Sequence, residues 1–152
     1  MKPLTAEWIA KAEEDYAAAQ HLSRERKSAL PSIVCFHCQQ CAEKYLKARL
    51  VEAGKHYPKT HDLEQVLDLV LPIEPHLKVL RGRLASLTDY AFEFRYPGES
   101  ATKEVARIAL TNCRSVREEL RRSLGLDNPP STQMSLGIKE RRVRYKVRRK
   151  KK

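Results

Sequence analysis

The sequence predicts an all-α protein: an up-and-down antiparallel bundle of four long helices and one short one, followed by a basic C-terminal tail. Three observations carry this reading. Apolar residues recur at alternating spacings of three and four through most of residues 1–126. Short turns carrying Pro or Gly separate those stretches. No stretch before residue 127 alternates apolar and polar residues convincingly, so strands are not expected there.

The elements follow in chain order. Thr5 is placed to cap a first helix, with Glu7 in its opening turn and Ile9, Ala12, Tyr16 and Ala19 on its buried stripe. Pro31 suits the first turn of a second helix, which Gly54 ends. Its stripe is Val34, Cys38, Cys41, Tyr45 and Ala48. A short third helix covers Asp62 to Val70, capped by Thr60 or His61 and stopped by Pro72. The fourth buries Leu77, Leu80, Leu84, Leu87, Ala91 and Phe94 and breaks at Pro97-Gly98. The fifth starts near Ser100 and buries Val105, Ala109, Asn112, Val116 and Leu120, with Gly125 just past its end.

A chain of 152 residues is long enough to bury a core without disulfides or metal. Its 41% hydrophobic and 32% charged residues are ordinary for a globular protein. No apolar run approaches the ~20 residues that a membrane span needs. The opening Met1-Lys2-Pro3-Leu4-Thr5 has no secretory pattern. A soluble, cytoplasmic protein with reduced cysteines is therefore expected.

The net charge of +11 is unevenly spread. From Asp127 to Lys152 there are ten Lys/Arg against two acids, whereas residues 1–126 carry twenty against seventeen. The polyanion signal thus sits in the tail, where Arg141, Arg142, Arg144, Lys146, Arg148 and Arg149 are the candidate contacts. A merely solubilising end is the competing reading, and composition leaves both open. The chain divides accordingly into a bundle, 1–126, and a Pro/Ser linker with a flexible tail, 127–152. Within the tail, Val143, Tyr145 and Val147 alternate with cations, a strand spacing that needs a partner to order.

Cys35, Cys38 and Cys41 resemble a metal motif on paper. On a helix, however, Cys35 and Cys41 point ~120° apart, and no Gly or Pro breaks the helix to let the thiolates converge. No metal is expected. The glycines are scattered singly, so no phosphate loop is expected, and no cofactor. His61-Asp62 at a helix start reads first as a cap. Two features remain. His37, Gln40 and Lys44 lie along one flank of the second helix, where polar side chains must find partners or line a pocket. Arg95-Tyr96-Pro97 closes the fourth helix, and an Arg beside a Tyr suits phosphate or base recognition. Arg95 bonding the last helical carbonyls is the alternative.

These blocks together carry a family resemblance. Trp8, Ala12, Asp15 and Tyr16 open it. Phe36-His37-x-Gln39-Gln40-x-x-Glu43-Lys44-x-Leu46-Lys47-Ala48, Gly54, Thr60-His61-Asp62-Leu63 and Arg95-Tyr96-Pro97 follow in order. Over about residues 5–124 the chain resembles the HEPN (higher eukaryote and prokaryote nucleotide-binding) domain family. The resemblance implies a helical bundle that homodimerises, and many such proteins act with a minimal nucleotidyltransferase as a toxin–antitoxin-like pair. It makes Arg95, Tyr96, His37, Gln40, Lys44 and His61 candidates for binding nucleotide or RNA.

Other branches of that family are metal-independent endoribonucleases, whose signature is Arg, four to six residues, then His. Here the positions reached from Arg95 are Ser100, Ala101 and Thr102, with no His. A formal match from Arg49 to His56 straddles the end of the second helix. No catalytic residue is therefore assigned. Metal-free cleavage needs a base for the 2′-hydroxyl proton, and only His37 or His61 remains to supply it. A binding module is the preferred expectation, an endoribonuclease the alternative, and a structural bundle with an active tail the third reading.

Overall fold

A computed structural model describes residues 1–27 and 29–126 of the chain. The helices are α1 (Pro3–Ser23), α2 (Pro31–Glu52), α3 (Leu63–Val70), α4 (Arg81–Glu93) and α5 (Lys103–Ser123), with a 3₁₀ turn over Pro75–Leu80 before α4. No strand occurs among the described residues. The linker and tail assigned from sequence, 127–152, lie outside the described residues.

α2 is the axis of the bundle, and α1, α3, α4 and α5 all pack on it. This explains its composition. Beyond the expected Val34, Cys38, Cys41, Tyr45 and Ala48, it also buries Cys35, Leu46, Leu50 and the polar Gln39, Glu43 and Lys47. Ala12, Tyr16 and Ala19 of α1 and Leu84, Leu87 and Ala91 of α4 meet it as predicted. All four cysteines are buried free thiols, and burial pushes Cys35 up to about 11. Among the described residues no three His, Cys, Asp or Glu side chains converge as a metal-binding group. No helix there is long and apolar enough to cross a membrane.

Several ends differ from expectation. α1 begins at Pro3, not after a Thr5 cap. Proline presets the first-turn dihedral, and Lys2 is tied by its backbone N–H to Glu52 and by its ammonium to the Val51 carbonyl, both at 3.0 Å. Thr5 is consequently drawn inside and buried. Asp62, not Thr60 or His61, caps α3: its carboxylate accepts from the N–H groups of Glu64 and Gln65. Leu77 and Leu80 belong to the 3₁₀ turn, where residues three apart eclipse, so the stripe survives a change of helix type. Thr102 caps α5 through the Val105 N–H, later than Ser100, and Cys113 takes the core position expected of Asn112. Of the predicted stops, Gly54 and Gly125 close α2 and α5 in the left-handed region, with φ of 71° and 69°.

Candidate functional site

α2 turns about 100° per residue, which places Ile33, Phe36, His37, Gln40 and Lys44 within about 100° of arc. This face is only partly covered: Ile33 and Phe36 are exposed, and His37, Gln40 and Lys44 are half-buried. It forms a strip between α1 and α4, with Arg95 lining it on the α4 side and His61 held at its edge by Glu43 and Gln39.

On the α1 edge, Asp15 accepts a hydrogen bond from His37 Nδ1 at 2.8 Å and pairs with the Lys44 ammonium. A carboxylate can only accept, so His37 Nδ1 carries the proton and its Nε2 is left as the free ring position. The polar flank noted in the sequence has thus found its partner on the neighbouring helix.

At the far end stands a second pair of the same kind. Glu43 Oε2 accepts from His61 Nδ1 at 3.0 Å and from Gln39 Nε2 at 2.9 Å, and its Oε1 accepts from Lys47 at 2.6 Å. Gln39 also donates to the His61 carbonyl at 3.1 Å and accepts from Gln40 at 2.8 Å. His61 is therefore held by backbone and by ring. Burial opposes the Glu43 charge, but the bonds from Lys47, Gln39 and His61 outweigh it and hold the carboxyl below its ordinary range. Lys47 is buried between Trp8 and Tyr57, 5.8 Å from each ring centroid, and those rings meet edge to face at 5.3 Å. The segment carrying Tyr57 and His61 is thereby pinned to α1 and α2.

On the α4 edge, Tyr90, Ala91, Phe94 and Arg95 face Ser32, Ile33 and Phe36 across a groove of about 290 Å³. The Arg95 guanidinium lies 5.7 Å over the Phe92 ring rather than against the last carbonyls of α4. Among the described residues no carboxylate pairs with it. Tyr96 is exposed beside it. Phe36 and Glu43 are seven residues apart, about 10 Å of helical rise. Arg95 and His61 thus stand at two ends of one strip, with Gln40 between them.

The sequence reading assigned no site role to Asp15, Gln39, Glu43, Lys47, Trp8 or Tyr57. The spacing of Gln39, Glu43 and Lys47, four apart, was a readable signal of one polar ladder. Asp15 and the aromatic pair are brought in by tertiary packing and left no local trace. The tail candidates Arg141, Arg142, Arg144, Lys146, Arg148 and Arg149 lie outside the described residues. A second polar cluster joins Glu13, Tyr45 and Arg117, but it faces the core between α1, α2 and α5 and is structural.

Comparison with curated proteins and with solved structures finds no match. A family model does match, described as HEPN domain, over residues 5–123. That span runs from the first turn of α1 to the end of α5 and includes the residues of the strip. The chain belongs to the HEPN domain family.

Proposed function

We propose that this chain is a nucleotide- or RNA-binding HEPN module that homodimerises in the cytoplasm and works with a minimal nucleotidyltransferase as a toxin–antitoxin-like pair. Family membership supports the helical nucleotide- or RNA-related module; the second copy and the partner rest on the resemblance of its motifs. The observation that carries the binding role is the strip on α2. It offers at Arg95 a guanidinium with no carboxylate partner among the described residues, aromatic faces at Tyr96, Phe92 and Phe36, and hydrogen-bonding groups at Gln40 and His61. A guanidinium suits phosphate and the rings suit stacked bases.

One observation favours the second reading, an endoribonuclease: His61 has a carboxylate behind Nδ1 and an exposed ring, the arrangement of a general base. Labelled RNA incubated in chelator with the wild type, Arg95→Ala, His37→Ala and His61→Ala separates the two. The expected outcome is intact RNA throughout, with Arg95→Ala weakening binding by about 1–3 kcal/mol. Metal-independent cleavage that disappears in any of the three variants would replace the binding reading with the enzymatic one.

A further inference from the structure

We infer that His61 reads the 2′-hydroxyl of a ribonucleotide, so that the strip prefers RNA to otherwise matched chains lacking that hydroxyl. The inference rests on the reading of the strip as a nucleotide- or RNA-binding surface. It comes from the hydrogen-bonding state imposed on one ring. Glu43 is a buried carboxylate with three donors around it: Lys47 on one oxygen, Gln39 and His61 on the other. It accepts and cannot donate, so the proton of a neutral imidazole is fixed on Nδ1. In that neutral form Nε2 bears a lone pair and no hydrogen.

That atom is a hydrogen-bond acceptor on an exposed ring, the His61 side chain being 58% accessible. Its position is set three times over, through the Glu43 bond, the Gln39 bond to the His61 carbonyl, and the Asp62 cap that starts α3 one residue later. An acceptor held this rigidly selects a donor. Phosphate oxygens are acceptors and gain nothing from it. The donors on a nucleotide are ribose hydroxyls, exocyclic amines and the ring N–H groups of guanine and uracil. The 2′-hydroxyl is the one present at every ribonucleotide whatever the base, and it distinguishes RNA from DNA.

The spacing agrees. About 10 Å of α2 separates the Arg95 groove from Glu43, the length of roughly three stacked nucleotides at ~3.4 Å each. A short single strand with a phosphate at Arg95 and bases against Phe36 therefore brings a sugar to His61. Gln40, between them, presents an amide whose other partner is Gln39.

The test uses the full chain and three fluorescent single strands of one mixed sequence: RNA, DNA and 2′-fluoro RNA. The fluoro strand keeps the ribose pucker and removes the donor. All three carry the same phosphates, so the basic tail contributes equally and cancels in the affinity ratios. Anisotropy titrations should show the wild type binding RNA about 3- to 10-fold more tightly than either other strand, the effect of one hydrogen bond. His61→Ala should bring that ratio to about one, by weakening RNA binding about 3- to 10-fold more than binding of the DNA or 2′-fluoro strand. Arg95→Ala should weaken all three strands alike and keep the ratio. A wild type without preference, or a preference undiminished in His61→Ala, overturns the inference. Loss of the Arg95 effect alone overturns the binding role assigned to Arg95 and leaves the hydroxyl preference standing on its own ratio.

Discussion

Lys47 shows how much a single residue can depend on its surroundings. Among the described residues it pairs with Glu43, one helical turn away, and on a helix surface such a pair contributes about 0.3–0.5 kcal/mol. The Arg107–Glu104 pair on α5 is of that kind, with both side chains well exposed. Lys47 and Glu43 are instead buried, and removing one partner leaves the other charged without full compensation. Lys47→Ala should therefore lower stability by about 3–5 kcal/mol, against less than about 1 kcal/mol for Arg107→Ala. Urea denaturation of the two variants checks the contrast, and equal small losses would show that water reaches Glu43. This difference was not legible in the sequence. The four-residue spacing was visible, but burial comes from Trp8 and Tyr57, which approach only when α1 and the segment after α2 have folded onto Lys47. The same reason hid the site partners. Arg95, Tyr96, His37, Gln40, Lys44 and His61 were identifiable as residues that needed an explanation, whereas Asp15 and Glu43, which orient the two imidazoles, act through space.

Among the elements, α1, α2 and α5 are joined by a half-buried polar cluster. Glu13 of α1 accepts two bonds from Arg117 of α5, both 2.7 Å, and one from the Tyr45 hydroxyl of α2. Arg117 also covers the Tyr16 ring at 4.5 Å. Burial raises the Glu13 carboxyl, but the bonds from Arg117 and Tyr45 and the charges of Arg117 and Arg121 bring it below its ordinary 4.5. A carboxyl lowered by folding stabilises the protein above its unfolded value and loses that contribution as pH falls through its folded value. The melting temperature should thus drop as pH falls below about 4.5. Glu13→Gln should melt lower at neutral pH and lose less on acidification, as circular dichroism melts across that range would record. A variant with the full acid loss would place the effect at Glu43 or Glu74, whose carboxyls are lowered as well. Helix number, order and most core positions were readable, because a spacing of three and four survives whatever packs against it. Helix starts were less so: Pro31 opens α2 as expected, but α1 and α5 begin elsewhere than expected. Thr5, Thr60, Thr102 and Asp62 all have capping side chains, and tertiary ties such as Lys2 to Val51 decide which are used.

For the whole molecule, the closing of α5 matters most. Leu126 donates to the Arg121 carbonyl at 2.8 Å and Gly125 to Arg122 at 3.0 Å, so the bundle's last helix is finished before residue 127. Removing residues 127–152 should leave helical circular dichroism and melting nearly unchanged. The same truncation should remove most non-specific nucleic-acid affinity. If the tail neutralises about 5–8 phosphates, the log-log salt slope on duplex DNA should be about −4 to −7 for the full chain and much shallower without it. Equal slopes would assign the electrostatic contact to the bundle. The packing of Trp8 has a practical consequence at this scale. It is the only tryptophan in the chain, and it sits edge-on to Tyr57 with the Lys47 ammonium nearby. Its emission is therefore an intrinsic optical gauge of whether the segment bearing His61 stays docked, readable in the unlabelled protein.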